Sequence, residues 1–156
     1  MPPPFLRRVA AEDRAFLVEL YGSTRERELA RVPWDRATRA AFVEQQFAAQ
    51  DAHYRSPYPG ATLDVVEVAG ERAGRLYVHR GPSDIRIMDI ALLPAHRGKG
   101  TGSRLISRLM EEAALSQRCL SIHVERYNPA LRLYERLGFV LKEDKGVYLL
   151  MEWNPS

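Results

Sequence analysis

Residues 88–103 read Met88-Asp-Ile-Ala-Leu-Leu-Pro-Ala-His-Arg-Gly-Lys-Gly-Thr-Gly-Ser103, and the fold is decided here. A β-branched run, Ile85–Leu93, is closed by Pro94, whose missing N–H cannot continue a strand ladder. Gly98, Gly100 and Gly102 then alternate just ahead of a helix that begins near Ser103. Its apolar positions Leu105, Ile106, Leu109, Met110 and Ala113 make one stripe. Alternating glycines let successive backbone N–H groups turn toward one point, and the helix N-terminus behind them adds partial positive charge. The pattern predicts an anion cradle. A nucleotide P-loop does not fit, because Gly-Lys is followed by Gly100 where a Ser or Thr is needed. The dinucleotide fingerprint fails as well: its third glycine arrives one residue early, and this strand comes late in the chain.

Working outward, Thr62–Val68 and Gly74–His79 read as two strands of a hairpin joined by the loop Ala69–Gly74. Cys119–Glu125 reads as a strand, Pro129–Leu137 as a short helix stopped by Gly138, and Phe139–Lys142 and Val147–Trp153 as closing strands. Ahead of the turn-rich stretch 54–60 the periodicity is helical. Phe16, Leu17, Leu20 and Tyr21 share one face, and Asp35 can cap a second helix carrying Phe42, Val43 and Phe47. The element order β, α, α, β, β, β, α, β, α, β, β predicts a mixed sheet with helices on its faces.

The chain has 156 residues, 46% of them hydrophobic, which suits one domain able to bury a core without disulfide or metal staples. A single cysteine, Cys119, excludes a disulfide framework and any Cys-rich metal site, so no metal is expected. No secretory signal pattern and no long apolar run occurs, which predicts a cytoplasmic protein with no membrane partner. With 23 Lys+Arg against 20 Asp+Glu the formal charge is +3, and the arginines are spread among acids. Nucleic acid is therefore not an expected partner. The local basic groups His96, Arg97, Lys99 and Arg104 lie in or beside the glycine loop.

Arg97-x-x-Gly100-x-Gly102 resembles the acetyl-CoA pyrophosphate loop of the GNAT superfamily of N-acetyltransferases. A second stretch, Leu120-Ser-Ile-His-Val-Glu-Arg-Tyr-Asn128-Pro-Ala-Leu-Arg-Leu-Tyr134-Glu-Arg-Leu-Gly138-Phe139, is similar to the strand and helix that follow in that family. The resemblance implies an α+β fold of α/β-type three-layer build. Its central sheet would be mixed and mostly antiparallel, with helices on both faces and a V-shaped split between two parallel strands. It also implies one acetyltransferase domain over 1–156, with acceptor-side helices in 1–59 and an acetyl-CoA-binding core in 60–153.

By the same resemblance, the backbone of Ala91, Leu92 and Leu93 would pair with the pantetheine arm. The N–H groups of Arg97, Gly98, Lys99, Gly100, Thr101 and Gly102, with Ser103, would hold the pyrophosphate. Asn128 would contact the cofactor near its thioester end, and Tyr134 would sit near the sulfur as proton donor. Asp89 is the leading candidate base, with His79, His123 and Glu125 as the others. The Leu92 N–H would face the oxyanion.

Plainer readings stand beside these. Tyr134 shares a helical face with Ala130 and Leu137, a core position, and Asp89 can pair with Arg86 or Arg104. Cys119 reads as a small buried hydrophobe and Glu111-Glu112 as a solvated helix face. Trp34, Tyr54 and Tyr58 can line an acceptor pocket. The expected reaction is direct acetyl transfer from acetyl-CoA to a primary amine of a small molecule. A protein or peptide N-acetyltransferase and an acyl-CoA-binding sensor are the alternatives. The strand Val147–Trp153 could pair with a second subunit in a homodimer if its edge is free.

Overall fold

The structure, a computed structural model, describes residues 2–55 and 60–155. Seven strands form one sheet: β1 (Phe5–Arg8), β2 (Thr62–Val68), β3 (Glu71–Arg80), β4 (Asp84–Leu92), β5 (Cys119–Glu125), β6 (Val140–Asp144) and β7 (Tyr148–Trp153). They lie in the order β1-β2-β3-β4-β5-β7-β6. Every pairing is antiparallel except β4 with β5.

Successive side chains of a strand point to opposite faces, and the sequence uses this to build two cores. Val66, Leu76, Val78, Ile85, Ile87, Leu120, Ile122 and Val124 face one way. There they meet Leu105, Ile106, Leu109 and Ala113 of α4 (Thr101–Leu115) and Tyr134 of the short helix Leu131–Arg136. Val65 faces the other way, onto Phe16, Leu17, Leu20 and Tyr21 of α1 (Arg14–Thr24) and Phe47 of α3 (Arg36–Arg55). A one-turn helix, α2 (Glu26–Leu29), lies between them, and the short helix after β5 is therefore α5. Asp35 caps α3 as expected, its Oδ1 accepting the Thr38 N–H at 2.7 Å.

The parallel ladder is short. It runs from Asp84↔Cys119 to Ile87↔Ile122, after which β4 continues beside β3 and β5 beside β7. The departure coincides with a bulge. Tyr77 faces Asp89 while Val78 faces Ile87, so Met88 is the extra residue and β4 bends there. The two strands part beyond this point, which is the V-shaped split. Gly74 sits opposite Leu92 on the diverging half, and a Cβ there would stand 2.1 Å from the Ala91 carbonyl oxygen. Only glycine lets β3 approach β4 so closely.

Four expectations need correction. Ala69 and Gly70, with φ of 53° and 80°, make a two-residue hairpin turn, so β3 begins at Glu71 and the loop over 69–74 does not exist. The strand Val147–Trp153 has no free edge: β7 lies between β5 and β6, and the sheet's edges are β1 and β6. Glu112 is not merely solvated, since it accepts Arg80 Nε at 2.5 Å and lies 3.6 Å from Arg118, tying α4 to the sheet. Cys119 is only half-buried, with Sγ 3.9 Å from the Ser83 carbonyl.

Candidate active site

After β4 the chain makes one 3-10 turn, Pro94–His96, and enters the glycine loop. Gly98 and Gly100 adopt left-handed φ of 73° and 82°, which side-chain-bearing residues rarely take. Gly102 differs. It lies in the first turn of α4, has no positive φ, and a Cβ placed on it would touch nothing within 4 Å. Neither backbone nor packing explains a glycine there, at a helix position where glycine costs about 1 kcal/mol relative to alanine. The space beside it, at the helix N-terminus, is open.

No side chain caps α4, and its first backbone bond runs from Arg104 N–H to the Gly100 carbonyl. The N–H groups of Thr101, Gly102 and Ser103 are thus the donors that helix geometry leaves over, and they suit a pyrophosphate. The Arg97 N–H is differently placed. It donates to the Pro94 carbonyl at 3.2 Å and is committed to the 3-10 turn. The Arg97 side chain also turns back, with Nε donating to the Leu92 carbonyl at 2.9 Å.

The edge of β4 facing the split follows from ladder alternation. Leu93 N–H donates across to Ala73 at 2.8 Å, so Leu93 and Ala91 direct their polar groups toward β3. Leu92 and Ile90 direct theirs toward the opening. Of the three backbone positions expected to meet a pantetheine arm, Leu92 alone directs its backbone groups toward the opening. Ile90 lies on the same edge and was not singled out in the sequence.

On the other lip, Asn128 begins the turn into α5. Its Oδ1 accepts the Ala130 N–H at 2.8 Å, which leaves the side-chain amide as a donor. Tyr134 is buried on α5 and packs on Phe139 with ring centroids 5.8 Å apart. Burial, and secondarily the charge of Asp89, push its hydroxyl up to about 12, so it is fully protonated near neutral pH.

Asp89 points to the face that carries α3. It pairs not with Arg86 or Arg104 but with Arg75, a guanidinium only 3% exposed that also donates to Gln50 Oε1 at 2.7 Å. The Tyr54 hydroxyl donates to the same carboxylate oxygen, Oδ2, at 3.1 Å. The Arg75 guanidinium lies 4.9 Å from the Tyr77 ring centroid and 5.9 Å from that of Tyr54. Burial, then the Asp89 charge, raises the Tyr54 hydroxyl well above its usual range. Arg75 was missed, although a charged residue inside the apolar run Gly74-Arg-Leu-Tyr-Val78 is itself a signal of a buried partner.

The remaining candidates scatter. His96 lies 3.8 Å from Glu71, His79 is the cross-strand neighbour of Arg86, and Glu125 ends β5 opposite Tyr148. His123 meets Arg86 and Lys145. Lys99 is exposed, and Arg104 reaches the Pro2 carbonyl at 3.4 Å. Trp34 packs on Phe42, and Tyr58 lies outside the described residues. Among the described residues no group of three His, Cys, Asp or Glu is placed to hold a metal, and no helix is long and apolar enough to cross a membrane.

A split mixed sheet with a donor-rich loop at its parallel strand defines an acyl-transferase architecture. The family model of the acetyltransferase (GNAT) domain matches residues 59–141, just over half of the chain, and the chain belongs to that family. No curated protein matches it. Among solved structures it is similar to the PaiA N-acetyltransferase of Thermoplasma acidophilum in complex with coenzyme A. That likeness has a TM-score of 0.72 at 15% identity, covering 97% of this chain and 98% of that one. An acetyltransferase from Thermus thermophilus gives 0.71 at 18%, covering 99% of each. The YncA protein of Salmonella typhimurium, with its cofactor acetyl-CoA, gives 0.59 at 23%, covering 98% and 94%. At these identities the likeness establishes the shared fold.

Proposed function

We propose that the protein is an acetyl-CoA-dependent N-acetyltransferase that moves an acetyl group directly to the primary amine of a small molecule. The observation that carries this reading is the alignment of three features at one split: the donors of Gly98–Ser103, the outward polar groups of Ile90 and Leu92, and the protonated Tyr134 on the facing lip. In this reading residues 60–153 hold acetyl-CoA, while residues 1–59 shape the acceptor side and also supply β1 to the sheet. Acetyl-CoA is a co-substrate, no metal takes part, and the protein works in the cytoplasm.

The chemistry assigns each group a task. An amine of ordinary pKa about 10.4 is almost wholly ammonium at pH 7, and reaching its nucleophilic form costs roughly 4–5 kcal/mol. Asp89 attracts the ammonium and takes its proton for relay to solvent. Arg75 and Tyr54 occupy Oδ2, which directs Oδ1 to that role. The amine nitrogen then bonds to the acetyl carbon while the carbonyl oxygen, gaining negative charge, is met by the Leu92 N–H. As the C–S bond breaks, the sulfur leaves with the electron pair. The Tyr134 hydroxyl donates to it, and the second proton released by the nitrogen replaces the one Tyr134 gives. The products are an amide and the CoA thiol. Asn128 steadies the thioester end.

The test is release of CoA thiol with a panel of primary amines. Thiol should appear with at least one amine, and Tyr134→Phe should lower kcat about a hundredfold while changing the KM for acetyl-CoA little. Binding of CoA with no thiol released by any amine would overturn the enzymatic reading in favour of a sensor.

A further inference from the structure

His123 stands at the mouth of the split in an unusual setting. It is the first residue of β5 beyond the last parallel rung, Ile87↔Ile122. Arg86 Nη1 approaches its Nδ1 at 3.1 Å, and Lys145 Nζ approaches its Nε2 at 3.2 Å. Arginine and lysine only donate hydrogen bonds, and a neutral imidazole has one accepting nitrogen. Two cationic donors therefore converge on a ring that can accept from one of them. Protonating the ring would remove even that acceptor. Burial, then Arg86, then Lys145 hold the His123 pKa below its ordinary value, against the weaker pull of Glu143. The acids paired with the two cations stand at longer range, Asp84 3.9 Å from Arg86 and Glu143 3.7 Å from Lys145, and Glu125 and Glu152 lie on the same face along β5 and β7. Arg86 spends a further donor on Ser121 Oγ at 2.6 Å.

The cluster is on the acceptor side. Tyr77 and His79 are alternate residues of β3 and share a face, and their cross-strand partners are Asp89 and Arg86. The cluster and the Asp89 carboxylate are thus two rungs apart on one surface, roughly 7 Å at strand spacing. The opposite face at this point is closed by the apolar core under α4.

We infer that Arg86, His123 and Lys145 form an anion subsite for the acceptor, so that the preferred substrate is an amine that also carries a carboxylate or phosphate group. An anionic oxygen entering between the ring N–H and the facing cation accepts from both and removes the donor-to-donor contact. The same arrangement sets the acceptor's two charges apart, anionic end on the cluster and ammonium end toward Asp89. This inference rests on the acetyltransferase reading and names the substrate class for it.

The experiment compares paired amines: γ-aminobutyrate and δ-aminovalerate with their carboxamides, and phosphoethanolamine with ethanolamine. The anionic member of at least one pair should be favoured about tenfold in kcat/KM, the value of one charge-assisted contact, and the carboxylate and phosphate pairs distinguish the two head groups. Lys145→Gln should abolish that preference by raising the acceptor KM while leaving the KM for acetyl-CoA unchanged. Arg86→Gln should do the same, and Lys145, lying in an exposed turn, keeps the test available if the Arg86 variant fails to fold. Equal use of both members of every pair overturns the inference. A second readout is independent of turnover: inorganic phosphate should shift the His123 ring resonances saturably in the wild-type protein and much more weakly in Lys145→Gln. If phosphate binds while no amine releases thiol, the acetyl-transfer reading fails and the anion subsite stands. Absence of any phosphate shift overturns the subsite itself.

Discussion

The two faces of the sheet solve opposite problems. Under α4 and α5 the contact is a large apolar core, from Val66 on β2 to Met151 on β7, that also takes in the ring of Tyr134. Under α1 and α3 the apolar cluster is small, and the space beside it holds Arg75, Asp89, Gln50 and Tyr54 bonded to one another. The first face holds the split strands in place by burial, which is non-directional and tolerant of repacking. The second holds charges and hydroxyls by directional bonds, each of which fails if its partner is removed. The larger apolar core lies on one side and the buried charge network on the other.

Substitution tests that division. Leu105→Ala, at a fully buried position of α4, should cost about 4 kcal/mol in denaturant unfolding, and no change of a neighbouring polar group should restore it. Arg75→Met should cost about 3 kcal/mol because it leaves the largely buried Asp89 carboxylate without its cation. Adding Asp89→Asn should recover most of that loss, and a double-mutant cycle measures the recovery; strict additivity would show that the polar face is held by packing after all.

Gly102→Ala sharpens the comparison at the start of α4, where the apolar face meets the glycine loop. Stability should hold or rise by a few tenths of a kcal/mol, since alanine is the better helix former. If the open space at Gly102 takes the pyrophosphate as proposed, CoA affinity should fall about tenfold by calorimetry. A parallel loss of both would mean that Gly102 serves the fold.

A pH-dependent effect concerns Asp13, which is fully buried between β1 and α1. Arg7 grips it at 2.8 and 2.9 Å and the Ala10 N–H adds a bond at 2.8 Å, holding its carboxyl down to about 2 against the opposing effect of burial. A depressed carboxyl contributes stability that is complete above its ordinary value and is lost as pH falls through the folded value. Unfolding followed between pH 4 and pH 2 should therefore show a loss of stability that Asp13→Asn flattens.

Much of this architecture was readable along the chain. The strand, glycine loop and helix over 85–115 form a local unit whose pattern and conformation agree, and α4 differs from its expected start only in beginning at Thr101. The hairpin was misjudged because Glu71 and Arg72 are polar and read as loop, while pairing with Glu67 and Val68 draws them into β3. What escaped was set by long-range pairing. The partner of Asp89 depends on the register of β3 against β4 and on one bulge, so Arg75 is its partner in place of Arg86, which is nearer in sequence, or Arg104. The setting of His123 depends on Lys145, which arrives from the turn between β6 and β7. Loop-borne donors are legible because the backbone supplies them; side chains gathered from separate strands are not.

The position of β7 governs how the protein can be made. It is the seventh strand in the chain, yet it lies between β5 and β6 and is the neighbour of each. During synthesis β6 emerges with no strand to pair with, and β5 has only its four rungs to β4. The C-terminal half of the sheet therefore closes in a single late insertion, and the Tyr134 lip becomes fixed only when Tyr148–Trp153 has left the ribosome. A nascent chain that stalls before this strand carries the complete glycine loop but only one finished wall of the split.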